Sequence, residues 1–175
     1  MKKIIFFIIG AIFFASCSTL RVSYDYDETY DFSKIKGFVI KHYAKEGENT
    51  LVNDRITDAL EHEFVNKGYK KTSYQQANVI VMYHYSSKDK IDIQNDYQMV
   101  GVRRYGYGGA MVSSSTVYEY TEGTIVVDVF DKSTNKIVWR GVGVLELEQK
   151  ETPQQRREYV NKIIKEVVQK FPLYR

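Results

Sequence analysis

Residues 125–143 read IVVDVFDKSTNKIVWRGVG, two apolar runs separated by a polar break. Ile125 to Asp131 carries β-branched and aromatic residues, as does Lys136 to Arg140, and such residues suit a pleated strand. Ser133-Thr134-Asn135 between them fits a three-residue hairpin loop, because Asn tolerates the left-handed conformation that closes one. That loop pairs Lys132 with Lys136 and, counting back, Asp128 with Arg140 and Val129 with Trp139. Ile125, Val127, Val129 and Trp139 then share one face with Gly141 and Gly143. This is the face expected to be covered by helices, the glycines leaving room for larger neighbours.

Working outward, the strands extend to Val117 on one side and Glu148 on the other. Val22 to Tyr26 alternates and predicts a first strand, Asp31-Phe32-Ser33 a turn, and Gly37 to His42 a second strand. Asn49 or Thr50 caps a helix whose Leu51, Val52, Ile56, Ala59, Leu60 and Phe64 follow helical spacing, with Gly68 as its stop. Tyr69 to Thr72 fits a short strand, and Ala77 to Tyr85 an interior one. Pro153 opens a last helix with Tyr159, Val160, Ile163, Ile164, Val167 and Val168 on one stripe, ended by Phe171-Pro172. Ser86 to Ser115 shows no clear period and is either a functional loop or a hidden hairpin. The order predicts a single α+β domain, a mainly antiparallel sheet with two helices packed on one face.

Composition agrees with one globular domain. The chain has 175 residues, 43% hydrophobic and 27% charged, with two prolines and 11 glycines, which excludes disorder and collagen-like repeats. Its net charge is +3, and beyond the first 16 residues 23 basic side chains face 22 acidic ones. Such balance speaks against nucleic acid as a partner, since phosphate binding wants a basic face. One cysteine excludes an intramolecular disulfide framework.

Lys2 and Lys3 precede an apolar run from Ile4 to Phe14. The run is short of the roughly 20 residues that span a bilayer and fits a secretory signal. Its end, Phe14-Ala15-Ser16-Cys17, resembles a bacterial lipobox, with Phe14 where leucine is usual. The resemblance implies cleavage before Cys17, lipidation of its thiol and acylation of its new amino group. Residues 1–16 are thus expected to be a signal peptide, 17–21 a lipidated tether and 22–175 the domain. The membrane becomes a partner through Cys17. Ser18 stands where aspartate would retain an enterobacterial lipoprotein, which implies the periplasmic side of the outer membrane.

Further motifs carry a second resemblance. Tyr24-Asp25-Tyr26, Lys67-Gly68-Tyr69, Tyr120-x-Glu122-Gly123-Thr124, Asp128-x-Phe130-Asp131 and Val138-Trp139-Arg140-Gly141 occur in that order. Together they are similar to the bacterial lipoproteins grouped as domain of unknown function 4136, from about Val22 to Pro172. The resemblance implies an envelope lipoprotein with one α+β domain, and it supplies no catalytic residue.

Catalytic signals are sparse. His42, His62 and His84 show no ligand spacing such as HExxH, so no metal site is expected. His42 and His84 fall in predicted strands, His62 on a helix. Ser113-Ser114-Ser115 lacks a nucleophile elbow, and Gly106-Tyr107-Gly108-Gly109 lacks the context of a phosphate loop. Glu146 and Glu148 share a strand face near its end, where solvation is expected. The distinctive cluster is Arg103-Arg104-Tyr105-Gly106-Tyr107, which combines guanidiniums and rings suited to anions, sugars or a protein surface. Arg103, Arg104, Tyr105 and Tyr107 are the expected partner-binding residues. The favoured reading is a non-enzymatic, cofactor-free module for an envelope protein or cell-wall partner. The alternative is a hydrolase acting on envelope polymers.

Overall fold

Asn49 accepts a hydrogen bond from the Leu51 amide (3.0 Å) and so caps α1, Thr50–Asn66. The helix ends where Gly68 takes φ +95°, a conformation open to glycine. Helix α2, Pro153–Val168, starts with a capping box between Thr152 and Gln155 and with Pro153 in its first turn. Asn49, Gly68 and Pro153 were read in the sequence, and both helices lie where they place them. The computed structural model describes residues 20–44, 46–100 and 110–173, with backbone alone over 93–100 and 110–116.

Six strands form one sheet in the order β1-β6-β5-β4-β2-β3. They are β1 (Arg21–Tyr26), β2 (Gly37–Lys41), β3 (Lys70–Lys71), β4 (Val79–Val100), β5 (Ala110–Asp131) and β6 (Lys136–Glu146). β2 runs parallel to β3 and β4, while every other pairing is antiparallel. Strand β1 already includes Arg21, assigned above to the tether. Val79, Val81, Tyr83, Ile125, Val127, Val129 and Trp139 point to one face and are buried under Ile56, Leu60 and Phe64 of α1 and Ile164, Val167 and Val168 of α2. The chain is an α+β domain with both helices on one face. Phe171, just past α2, gathers the aromatic end of this core. Phe64, Trp139 and Tyr69 lie with ring centroids 4.9, 5.3 and 5.5 Å from it.

The β5–β6 hairpin departs from its expected register at the turn. Asp131, not Lys132, pairs with Lys136, so the loop holds four residues. The reason is the Asp131 carboxylate. One of its oxygens accepts from the Ser133 and Thr134 amides (3.0 and 2.8 Å) and from both hydroxyls, which winds the turn one residue early. Asn135 closes it at φ +55° as expected. Lys132 is freed from facing Lys136 and donates to the Tyr74 and Gln75 carbonyls. A bulge then leaves Val138 unpaired between the pairs Val129–Trp139 and Phe130–Ile137, and both Val138 and Trp139 are buried. Because the bulge returns the lost residue, Val129 faces Trp139 and Asp128 faces Arg140 as the sequence predicts.

The second Asp131 oxygen accepts from the Tyr30 hydroxyl at 2.9 Å. Burial pushes this carboxyl up, but the Ser133, Thr134 and Tyr30 hydrogen bonds outweigh it and hold the group at about 2. A carboxyl lowered by folding stabilises above its ordinary value near 3.9, and that contribution is lost as pH falls through the folded value. Asp131→Ala should therefore melt below the wild type at neutral pH, with the gap closing between about pH 4 and pH 2. Thermal melts across that range check it, and a gap independent of pH would contradict it.

Candidate functional site

The central strands outrun the sheet. β2 follows β4 only to the pair Lys41–Met82, and β6 follows β5 only to Glu122–Glu146. From Lys88 to Val100 and from Ala110 to Thr121 the strands pair, among the described residues, only with each other. At about 3.3 Å per residue this arm is roughly 40 Å long. The stretch from Ser86 to Ser115 is thus largely a regular hairpin, the second of the two readings the sequence left open. Residues 86–89, 91 and 92 are exposed, so selection for alternating apolar residues is absent there and Ser86-Ser87-Lys88-Asp89-Lys90 does not read as a strand. Ile91, Val117 and Tyr118 of the arm are exposed.

Arg103, Arg104, Tyr105 and Tyr107 belong to residues 101–109, and they lie outside the described residues, as does Cys17. The last described pair of the arm is Val100–Ala110.

Charged groups brace the root of the arm. Glu122 lies 3.3 Å from Arg21 and 3.4 Å from Lys90, and Thr121 donates to Asp89 at 2.8 Å. Arg21 and Glu122, with Asp92, Tyr118, Glu119 and Glu146, border an open cleft of about 540 Å³. Glu148 is not beside Glu146 on a strand face. β6 ends at Glu146, and Glu148 lies beyond it, paired with Lys150.

A polar cluster that spacing did not suggest lies at the N-terminal end of α1. His42 sits just past β2, not within it, and its ring stacks on Tyr83 with centroids 4.3 Å apart. Its Nε2 is 2.6 Å from Glu48 and its Nδ1 is 3.2 Å from the Tyr83 carbonyl oxygen. Tyr83 donates to the Asn53 carbonyl and meets the Thr57 hydroxyl, both at 3.0 Å. Burial raises the Tyr83 phenol above its ordinary range. Glu48 also accepts from the Asn53 side chain at 3.3 Å, which ties the pair of His42 and Glu48 to α1. His62 lies on the exposed side of α1 beside Glu63. Among the described residues no group of three or more His, Cys, Asp and Glu could hold a metal ion. No described helix is long and apolar enough to cross a membrane.

Solved structures share this fold. A PDZ domain protein from Parabacteroides distasonis superposes with TM-score 0.53 at 14% identity, over 90% of this chain and 36% of that one. The chain thus spans about a third of that protein's length. The PelC dodecamer from Paraburkholderia phytofirmans superposes with TM-score 0.51 at 10% identity, over 89% of this chain and 99% of that one. No curated protein matches the sequence. Residues 22–173 match the family model described as domain of unknown function 4136, and with nearly the whole domain included in the match, the chain belongs to that family.

Proposed function

We propose that this chain is a lipid-anchored envelope protein, tethered through Cys17 at the periplasmic side of the outer membrane. Its domain binds an envelope protein or cell-wall polymer and catalyses no reaction. The observation that carries this reading is the arm. A two-stranded ribbon with both edges open is marginally stable alone and gains from being covered. A body that invests two long strands in such a projection supports a role in contact, and the sequence between those strands holds Arg103, Arg104, Tyr105 and Tyr107. Tyrosine supplies contact area at low entropic cost, and arginine reaches anions and aromatic faces. The lipobox at Cys17 supports the anchor.

Two measurements test it. Cys17→Ser should accumulate as an unprocessed precursor, while the wild-type mature chain should carry acyl mass. A wild-type protein found free in the periplasm would overturn the anchor. Replacing Arg103, Arg104, Tyr105 and Tyr107 together by serine should leave the melting temperature nearly unchanged, each surface change costing within about 0.5 kcal/mol. The same variant should lose the partners that the wild type retains in cross-linked, detergent-solubilised envelopes. Retention of every partner would overturn the role of the arm.

A further inference from the structure

On the helix-covered side, at the arm's root, a cleft of about 290 Å³ opens between α1, α2 and the sheet. Val52 and Ile56 of α1, Val160 and Ile163 of α2, Ile125 of β5 and Leu145 of β6 form its walls. No charged side chain lines it. Val52, Val160 and Ile163 are only partly buried although they pack on the core, so the helices splay here and leave apolar surface open to water. Leu147 leans across the mouth over Gly123, where a Cβ would stand 2.6 Å from its Cδ2. The Tyr159 hydroxyl donates to the Glu146 carbonyl at 3.1 Å and fixes the rim. A site without charge, near the lower end of the ligand-pocket range, suits one hydrocarbon chain and no headgroup.

The start of the described chain indicates where such a chain comes from. Leu20 and Ile125, the latter a wall of the cleft, both come within 3.3 Å of the position a Cβ on Gly143 would occupy. Cys17 lies three residues before Leu20, at most about 11 Å of extended backbone. We propose that the cleft takes up one acyl chain carried by Cys17, which rests on the lipoprotein reading above. The remaining chains stay in the bilayer, which two or more can hold firmly. The domain is thereby held against the membrane at the arm's root instead of swinging on a free tether.

The core cluster runs from Ile35 to Phe171, so residues 18–175 produced without the signal contain the whole folding unit. In aqueous buffer this protein should bind one cis-parinaric acid, a fluorescent fatty acid, per chain. Val160→Trp, which fills the cleft, and Leu147→Glu, which charges its mouth at an already exposed side chain, should each weaken binding at least tenfold. Absence of binding by residues 18–175 overturns the proposal, as does unchanged affinity in a folded Leu147→Glu variant. In detergent, amide exchange over residues 159–164 should be at least tenfold slower in the acylated protein than in residues 18–175, and Leu147→Glu should erase the difference. Equal exchange in an acylated protein overturns the proposal while leaving the anchor intact. A mature chain whose mass carries no acyl group instead removes the anchor.

Discussion

Replacing Gly141 by alanine is expected to destabilise the domain by roughly 2–3 kcal/mol, the range of overpacked cores. A Cβ there would stand 2.3 Å from Trp139 Cη2 and 2.9 Å from Cζ3. Flexible side chains can retreat from such a clash, but Trp139 is 1% exposed and braced edge-on by Phe171. The strand itself must shift, and for a domain of this size the melting temperature should fall by about 5–10 °C. The cause is separable. The clashing atoms belong to the outer ring of the indole, which Trp139→Phe removes, so in that background Gly141→Ala should cost less than about 1 kcal/mol. Trp139→Phe also removes a buried Nε1 that has no hydrogen-bond partner, which offsets part of the volume lost. Denaturant midpoints for the four proteins decide it. Equal penalties in the two backgrounds would show that the indole is not what Gly141 accommodates.

The second large effect lies on the sheet face away from the helices. Arg140 holds Asp128 with two parallel bonds, Nε at 2.5 Å and one terminal nitrogen at 2.7 Å. Hydrogen bonding to Asp128 raises the guanidinium above its ordinary value. The Asp128 residue is 3% exposed, so Arg140→Leu strands a carboxylate with little water. Breaking a fully buried pair costs about 3–5 kcal/mol, and because nearly half of the arginine side chain (47%) is exposed, about 2–3 kcal/mol is expected. The double variant Asp128→Leu with Arg140→Leu should recover to within about 1 kcal/mol of wild type, since an apolar pair of similar volume carries no uncompensated charge. Urea unfolding of the single and double variants is the check. A double variant as unstable as Arg140→Leu would mean the arginine contributes packing and not charge.

What the sequence disclosed follows from how locally each feature is encoded. The starts of α1 and α2 depend on residues within one turn, so Asn49 and Pro153 could be found by position, whereas the Thr152–Gln155 capping box was not read. The pairing of Asp128 with Arg140 was also found, although through a loop one residue too short, because the bulge at Val138 compensated the early turn at Asp131. Neither device has a signature in hydrophobic pattern alone. The arm was ambiguous for a different reason, since the exposed strand residues at its root need no alternation. His42 and Glu48 were missed as a pair because a loop, and no helical or strand period, brings them together. The residues nominated for partner binding were named by composition alone, and they lie outside the described residues.

The place of β1 also dictates an order of events. β1 is the first strand of the chain, yet its register partners are residues 139–144 of β6. A chain emerging N-terminus first therefore exposes an unpaired Tyr24-Asp25-Tyr26 segment until most of the protein has followed. Contacts of such sequence separation form late because the closing loop is long. The half of the sheet built from β2, β3 and β4 with α1 can assemble sooner, and β6 then enters beside β5 and receives β1. Any machinery that handles the N-terminus, whether a peptidase or a lipid-transfer enzyme, meets it while the adjoining strand is still extended and reachable. In refolding experiments, substitutions in β1 should accordingly change the unfolding rate far more than the folding rate.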